Sequence, residues 1–161
     1  MIQRNINPKP RFVTLISALP FVGAPLGTLH RTAFFNFPQD SVIHYVSINS
    51  TFSVDGAFAQ VTGAVTYGRG ETSITSILGA GLENFSDGII WRDELLNPAA
   101  GTISDSKSNQ IMFNEFFVHA GTIIGIYANG IGGNARINAT IAFNPIAEWA
   151  NFREPTSGAR I

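Results

Sequence analysis

The chain has 161 residues, with 10 Lys or Arg against 11 Asp or Glu and a formal net charge of −1, so it lacks the basic surplus of a general nucleic-acid binder. It contains no cysteine, which excludes a disulfide framework, a thiolate metal site and a cysteine nucleophile. Charged residues make up 13% and hydrophobic ones 45%, where an ordinary soluble domain carries roughly 25% and 45–50%, so the deficit is in charge alone.

No linker or low-complexity run divides the sequence, and one domain is expected, long enough to bury about two-thirds of its unfolded surface. Residues 1–10 read as an extended N-terminal arm, 11–144 as the domain, and 145–161 as a short helix and a C-terminal arm. Arg4, Lys9 and Arg11 precede the apolar stretch Phe12 to Leu29, which superficially reads as a signal peptide or anchor. Pro20, Gly23, Pro25 and Gly27 would break a spanning helix, and the best cleavage point, after Ala24, is followed by proline, so the segment is expected to stay on the mature protein.

Strand candidates follow at Arg11–Leu19, Thr28–Phe37, Val42–Val54, Ala57–Tyr67, Thr72–Leu78, Gly88–Arg92, Gln110–Val118, Gly121–Ala128 and Ala135–Phe143. Short strands separated by turn chemistry such as Pro38-Gln39-Asp40 and Gly79-Ala80-Gly81 predict an all-β, antiparallel sandwich or barrel of about eight or nine strands. The run Val46 to Tyr67 carries the clearest signal. Two alternating segments flank Asp55-Gly56, a strong hairpin dipeptide, and a two-residue loop would set Val54 opposite Ala57, Phe52 opposite Ala59, Ile48 opposite Gly63 and Val46 opposite Val65. The other face would carry Ser47, Asn49, Thr51 and Ser53 and be solvated or bound by something polar. The longest irregular stretch, Asn97 to Asn109, reads as an exposed loop. Asp93–Leu96 suits one helical turn, and Asn144-Pro145 suits the N-cap and first position of a helix through Phe152.

The chemistry-bearing candidates are few. Gly130 to Ala135 fits a loose dinucleotide fingerprint, but an alternating strand follows where a helix is required, so a turn is expected there. No pair among His30, His44 and His119 has metal-ligand spacing. Glu115 and His119 would sit on one strand face about 13 Å apart, too far for one ion. His44 is expected to be a hydrogen-bonded core histidine opposite Tyr67. The carboxylates Glu71, Glu83, Asp87, Asp93, Glu94 and Glu115 are scattered, and a hydrolase would need two of them facing across a groove. No catalytic, cofactor-binding or metal-ligating residue is assigned, and the chain is read as a non-enzyme without a cofactor.

What remains is a surface signature. Lys9 and Lys107 are the only lysines and the other basic residues are arginines, which matches interfaces, depleted in Lys and Glu and enriched in Arg and aromatics. A secreted β-domain solvated by Ser, Thr and Asn would show the same deficit. Phe34, Phe35 and Phe37 occupy both faces of one strand, and Phe113, Phe116 and Phe117 both faces of another, so at least one outward face is expected to meet another subunit.

The stretch Val118 to Phe143, VHAGTIIGIYANGIGGNARINATIAF, with its Ala-Gly-Thr entry, apolar strand, glycine-rich turn and final alternating strand, is similar to the closing strands of viral and phage jelly rolls. The resemblance implies a jelly-roll-like virion structural protein: a capsid, decoration or vertex component. Its partners would be copies of itself and other virion proteins, and it would be made in the host cytoplasm. Interface residues implied by this reading are Arg4, Ile6, Phe34, Phe117, Trp149, Phe152 and Arg153. One departure is that a plain jelly roll has its tight hairpin at the middle of the topology, whereas here it joins the third and fourth candidates, which points to a sandwich variant. The other class in play is a lectin-like module binding carbohydrate on the polar sheet face or the Asn97–Asn109 loop, with Trp91 or Tyr127 as an exposed aromatic platform.

Overall fold

A computed structural model describes residues 9–17, 28–68, 73–75 and 88–148. Its strands are β1 (Arg11–Ser17), β2 (Thr28–Asn36), β3 (Ser41–Asp55), β4 (Gln60–Gly68), β5 (Ser73–Thr75), β6 (Gly88–Leu96), β7 (Thr102–Val118), β8 (Ile123–Ile131) and β9 (Gly133–Pro145). They form a four-stranded sheet in the order β1-β9-β3-β7 and a five-stranded sheet in the order β5-β2-β8-β4-β6. The chain is an all-β antiparallel sandwich, as the alternation predicts.

With the short β5 set aside, β1 pairs with β9, β2 with β8, β3 with β7 and β4 with β6, all antiparallel. These four pairs alternate between the two sheets. That is jelly-roll wiring, in which the whole chain makes one long hairpin that wraps round a single core. The expected sandwich variant is therefore corrected, and so is the reading behind it. Strands β3 and β4 are not hydrogen-bonded neighbours; they lie in different sheets. A type I′ turn needs positive φ at both central residues, but here only Gly56 has it, at 102°. The chain leaves one sheet at Asp55 and crosses to the other through a loop in which Phe58 takes the left-handed conformation, at φ 60°.

The face assignment survives this change of partner. Val46, Ile48, Phe52 and Val54 of β3 and Val61 and Val65 of β4 are all buried in one core cluster. They meet across the sandwich rather than side by side: a Cβ placed on Gly63 would lie 3.0 Å from Cζ of Phe52. Ser47, Asn49, Thr51 and Ser53 point outward as expected, but their neighbours are Thr140, Asn138, Arg136 and Asn134 of β9 and Gln110, Ser108, Ser106 and Ser104 of β7. Aromatic pairs fill the core ends. Phe37 packs edge-on to Phe35 and Phe143 at 4.9 and 5.2 Å between ring centroids, and Phe52 lies 6.3 Å from Trp91.

Three further expectations change. Only the start of Asn97–Asn109 is loop; from Thr102 onward it is strand, because its Ser and Asn side chains pair with the equally polar outward face of β3. Asp93–Leu96 is not a helical turn but the end of β6, pairing with Gly63 through Gln60 of β4. Asn144 and Pro145 end β9 instead of capping a helix; residues 146–148 are helical, and the rest of that expected helix, to Phe152, lies outside the described residues. Both arms, residues 1–8 and 151–161, also lie outside them.

Backbone bonds tie each end of the sandwich. At one end Asp55 N–H donates to Gly132 C=O at 2.8 Å, Gly56 N–H to Gly101 C=O at 3.0 Å and Phe58 N–H to Asn97 C=O at 2.7 Å. At the other, Asp40 accepts from the Ile146 N–H through its carbonyl and from the Ala120 N–H through its carboxylate, at 2.9 and 2.8 Å. Buried Asn144 donates to the Lys9 carbonyl at 3.1 Å.

Candidate functional site

Pairing registers place the outward side chains of the four-stranded sheet, between Val42 and Phe117 at one end and Asp55 and Thr102 at the other, in rows that cross it. Phe12, Ala142, Tyr45 and Met112 form one row. Thr14, Thr140, Ser47 and Gln110 form the next, and Ile16, Asn138, Asn49 and Ser108 the third. Beyond these lie Arg136, Thr51 and Ser106, then Asn134, Ser53 and Ser104. In these rows Arg136 is the one charged side chain.

The hydroxyls and amides bond to one another across the strands. Thr14 and Thr140 share a hydrogen bond at 3.0 Å, Ser106 donates to Thr51 at 3.1 Å, and Ser108 donates to the Asn49 amide oxygen at 2.6 Å. Such cross-strand pairs satisfy these hydroxyls and amides internally, whereas the buried Asn138 Oδ1 has no hydrogen-bond partner among the described residues. The other component of the face is apolar: Phe12 is 59% and Met112 66% exposed, with the Phe12 and Tyr45 rings 6.4 Å apart between them. A face with exposed large apolar groups and almost no charge resembles the buried part of an interface more than a solvated surface.

The opposite sheet presents less. Phe34 is half exposed beneath the Arg31 guanidinium, 4.1 Å from its ring centroid, a cation–π contact. Thr62, Ala64, Thr66 and Tyr127 on its outward side are buried. Trp91 points into the core, so neither Trp91 nor Tyr127 forms the exposed aromatic platform expected of a lectin-like module.

Of the interface residues implied by the resemblance, Phe34 and Phe117 are each half exposed, on different sheets. Arg4, Ile6, Trp149, Phe152 and Arg153 lie outside the described residues. Sequence reasoning missed Phe12, Ile16 and Met112. The signal is in the sequence, where Phe12, Thr14 and Ile16 alternate with Val13 and Leu15 in the strand candidate Arg11–Leu19.

The chemistry-bearing candidates do not converge. Among the described residues no three His, Cys, Asp or Glu side chains group as metal ligands. His44 sits at a bulge of β3, where its Nε2 is 2.7 Å from the Asn144 amide oxygen; Tyr67 lies in the other sheet and is not its strand partner. Asp93 and Glu94 point to opposite sides of β6, and Glu115 lies in the β7 bulge opposite His44. Glu71, Glu83 and Asp87 lie outside the described residues. The glycines Gly130 to Gly133 make the turn from β8 to β9, and β9 is a strand, so there is no helix N-terminus to hold a phosphate.

Lys107 closes the open side of the sandwich. Its ammonium reaches from β7 to both carboxylate oxygens of Asp93 on β6, at 3.0 and 2.8 Å, and to Asp105 at 3.2 Å. The hydrogen bond to Asp93, then that to Asp105, holds Lys107 protonated above the ordinary lysine value of 10.5. A raised lysine pKa stabilises the folded state fully below 10.5 and loses that effect as pH rises through the raised value. The stability gap between the wild type and Lys107→Met should therefore be small and constant at neutral pH and shrink above 10.5, as read by urea titrations at each pH.

Among the described residues no helix is long and apolar enough to cross a membrane. Compared with known proteins, the chain matches no family model, and no curated protein matches it.

Proposed function

We propose that the protein is a structural component of a virus or phage particle, working by self-assembly and contacts with other particle proteins rather than by catalysis. The observation that carries this reading is the outward face of the four-stranded sheet, where Phe12, Ile16 and Met112 are exposed beside cross-strand hydrogen bonds between hydroxyls and amides. Jelly rolls serve as viral capsid domains, lectins and cupins, so the wiring alone selects none of them. A cupin places its ligands inside the barrel, and here that space holds Phe37, Phe52, Ile48, Ile126 and Ile137. The two aromatics named for the lectin reading, Trp91 and Tyr127, are both buried.

In this reading the arms, residues 1–10 and 151–161, reach across to neighbours while the sandwich supplies a rigid block, and repeated weak contacts sum to a closed shell or spike. Deleting residues 1–10 should leave a folded domain, at the cost of the Asn144 bond to Lys9, that no longer assembles. Circular dichroism and electron microscopy of full-length and truncated protein test this: full-sized particles from the truncated chain would overturn the arm mechanism.

A further inference from the structure

We infer that β1 is the strand through which two copies of this chain join, edge to edge and antiparallel, about a two-fold axis at Thr14. This rests on the self-assembly reading above and names one of its contacts.

An unpaired sheet edge offers free N–H and C=O groups to any extended chain, and proteins guard such edges with inward-pointing charges, bulges or very short strands. The described edges differ sharply in this respect. On β7, Asp105 and Lys107 lie opposite core-facing Phe52 and Ser50, and a bulge breaks the ladder where Phe116 and Met112 pair with Ile43 and Tyr45. On β6, Asp93 opposes Gly63, Arg92 and Glu94 line the outward side, and the register shifts between Val65 and Thr66. Strand β5 has only three residues. The edge strand β1 has one such charge, Arg11 at its first position opposite core-facing Phe143 and paired with Glu148, and neither a bulge nor a shortened ladder. From Phe12 to Ser17 it carries no charge, and it runs in unbroken register along β9, its one partner among the described strands.

The sequence of β1 is also self-complementary. In an antiparallel pair centred on Thr14, Phe12 of each copy faces Ile16 of the other on the outward side, Thr14 faces Thr14, and Val13 faces Leu15 on the core side. Phe12 and Ile16 are 59% and 58% exposed in the single chain and would cover each other in the pair. The four-stranded sheet would continue into the second copy, extending the row of exposed apolar groups. Seven residues a side bury less than the roughly 1,200 Å² of a free-standing complex, so the contact works as one of several in a larger assembly.

The absence of native cysteine makes a direct test possible. An antiparallel pair brings Cα atoms to about 4.5–5.5 Å, within disulfide range, so Thr14→Cys should cross-link to itself under mild oxidation. Ser108→Cys, on the same face but far from the axis, should not. Phe12→Lys with Ile16→Lys, both at exposed positions, sets like charges opposite each other and should lower the Thr14→Cys cross-linking about tenfold. Mixing that chain with one carrying Phe12→Glu and Ile16→Glu should restore it. Wild-type protein that sediments as an assembly while Thr14→Cys fails to cross-link would overturn the β1 contact and leave self-assembly standing. Wild-type protein that remains monomeric, with no cross-link, would overturn both.

Discussion

Phe52→Ala should lower the stability of the fold by about 3–5 kcal/mol, as large aromatic deletions from a packed core do. Phe52 is buried between the sheets, against Trp91 on β6 and above Gly63 on β4. Gly63→Ala should cost about 1–3 kcal/mol by overpacking, since its new methyl would meet the Phe52 ring and Ile137. The double variant is the sharper experiment. With the ring gone, the Ile137 side chain that the new methyl presses on can shift into the space it leaves, so the two costs should fall short of their sum by about 0.5–3 kcal/mol. A β3–β4 hairpin would instead make Ile48 the partner of Gly63, and then Ile48→Ala, not Phe52→Ala, would couple more strongly to Gly63→Ala. Urea denaturation of the single and double variants measures both cycles.

Gly133→Ala is expected to be nearly as damaging, for a different reason. Gly133 opens β9 where the chain turns back from β8 between β3 and β4, and a Cβ there would press on Val61, lie 2.7 Å from a methyl of Val54 and 3.0 Å from the Ser53 carbonyl. Its φ is outside the left-handed region, so the backbone would accept alanine and the whole cost is steric. The neighbours are two core valines and a backbone oxygen that cannot rotate away, which places the effect at or above the upper end of about 1–3 kcal/mol. Gly56 is the matched control: its φ of 102° disfavours any side chain, yet nothing lies within 4 Å of its Cβ position. Gly56→Ala should therefore cost only the backbone strain, on the order of 1–2 kcal/mol, and thermal melts of the two variants should rank Gly133→Ala as the less stable.

The period of two made the faces legible. Ala135, Ile137, Ala139 and Ile141 alternate with Arg136, Asn138 and Thr140 in the sequence, and the first set is buried. The same holds for Val46, Ile48, Phe52 and Val54 on β3. Alternation says which way a side chain points but not which strand lies alongside, and in a jelly roll the hydrogen-bonded neighbour is distant in sequence. Asp55-Gly56 therefore reads as a hairpin, although its strands part into separate sheets. Polar pairing hid the first half of β7 for a related reason: Ser104, Ser106 and Ser108 look like loop chemistry until they are set opposite Ser53, Thr51 and Asn49. For the candidate surface, the low charge pointed to a covered face, but only the registers identify Phe12, Tyr45 and Met112 as one row. Trp91, offered by the sequence as a platform, is core because its position on β6 faces inward opposite Val65.

The two sheets divide structural labour. One has buried small residues at its centre and Phe34 beneath Arg31, while the other leaves its apolar row exposed and, among the described strands, pairs its β1 edge on one side only. In the proposed reading, that asymmetry assigns the four-stranded sheet to contacts with neighbours. The most direct test of self-assembly is the mass of the purified full-length protein by light scattering across a range of concentrations. A stable trimer, pentamer or larger closed assembly is the predicted result, whereas a monomer of 17.3 kDa that persists at the highest concentration would contradict it.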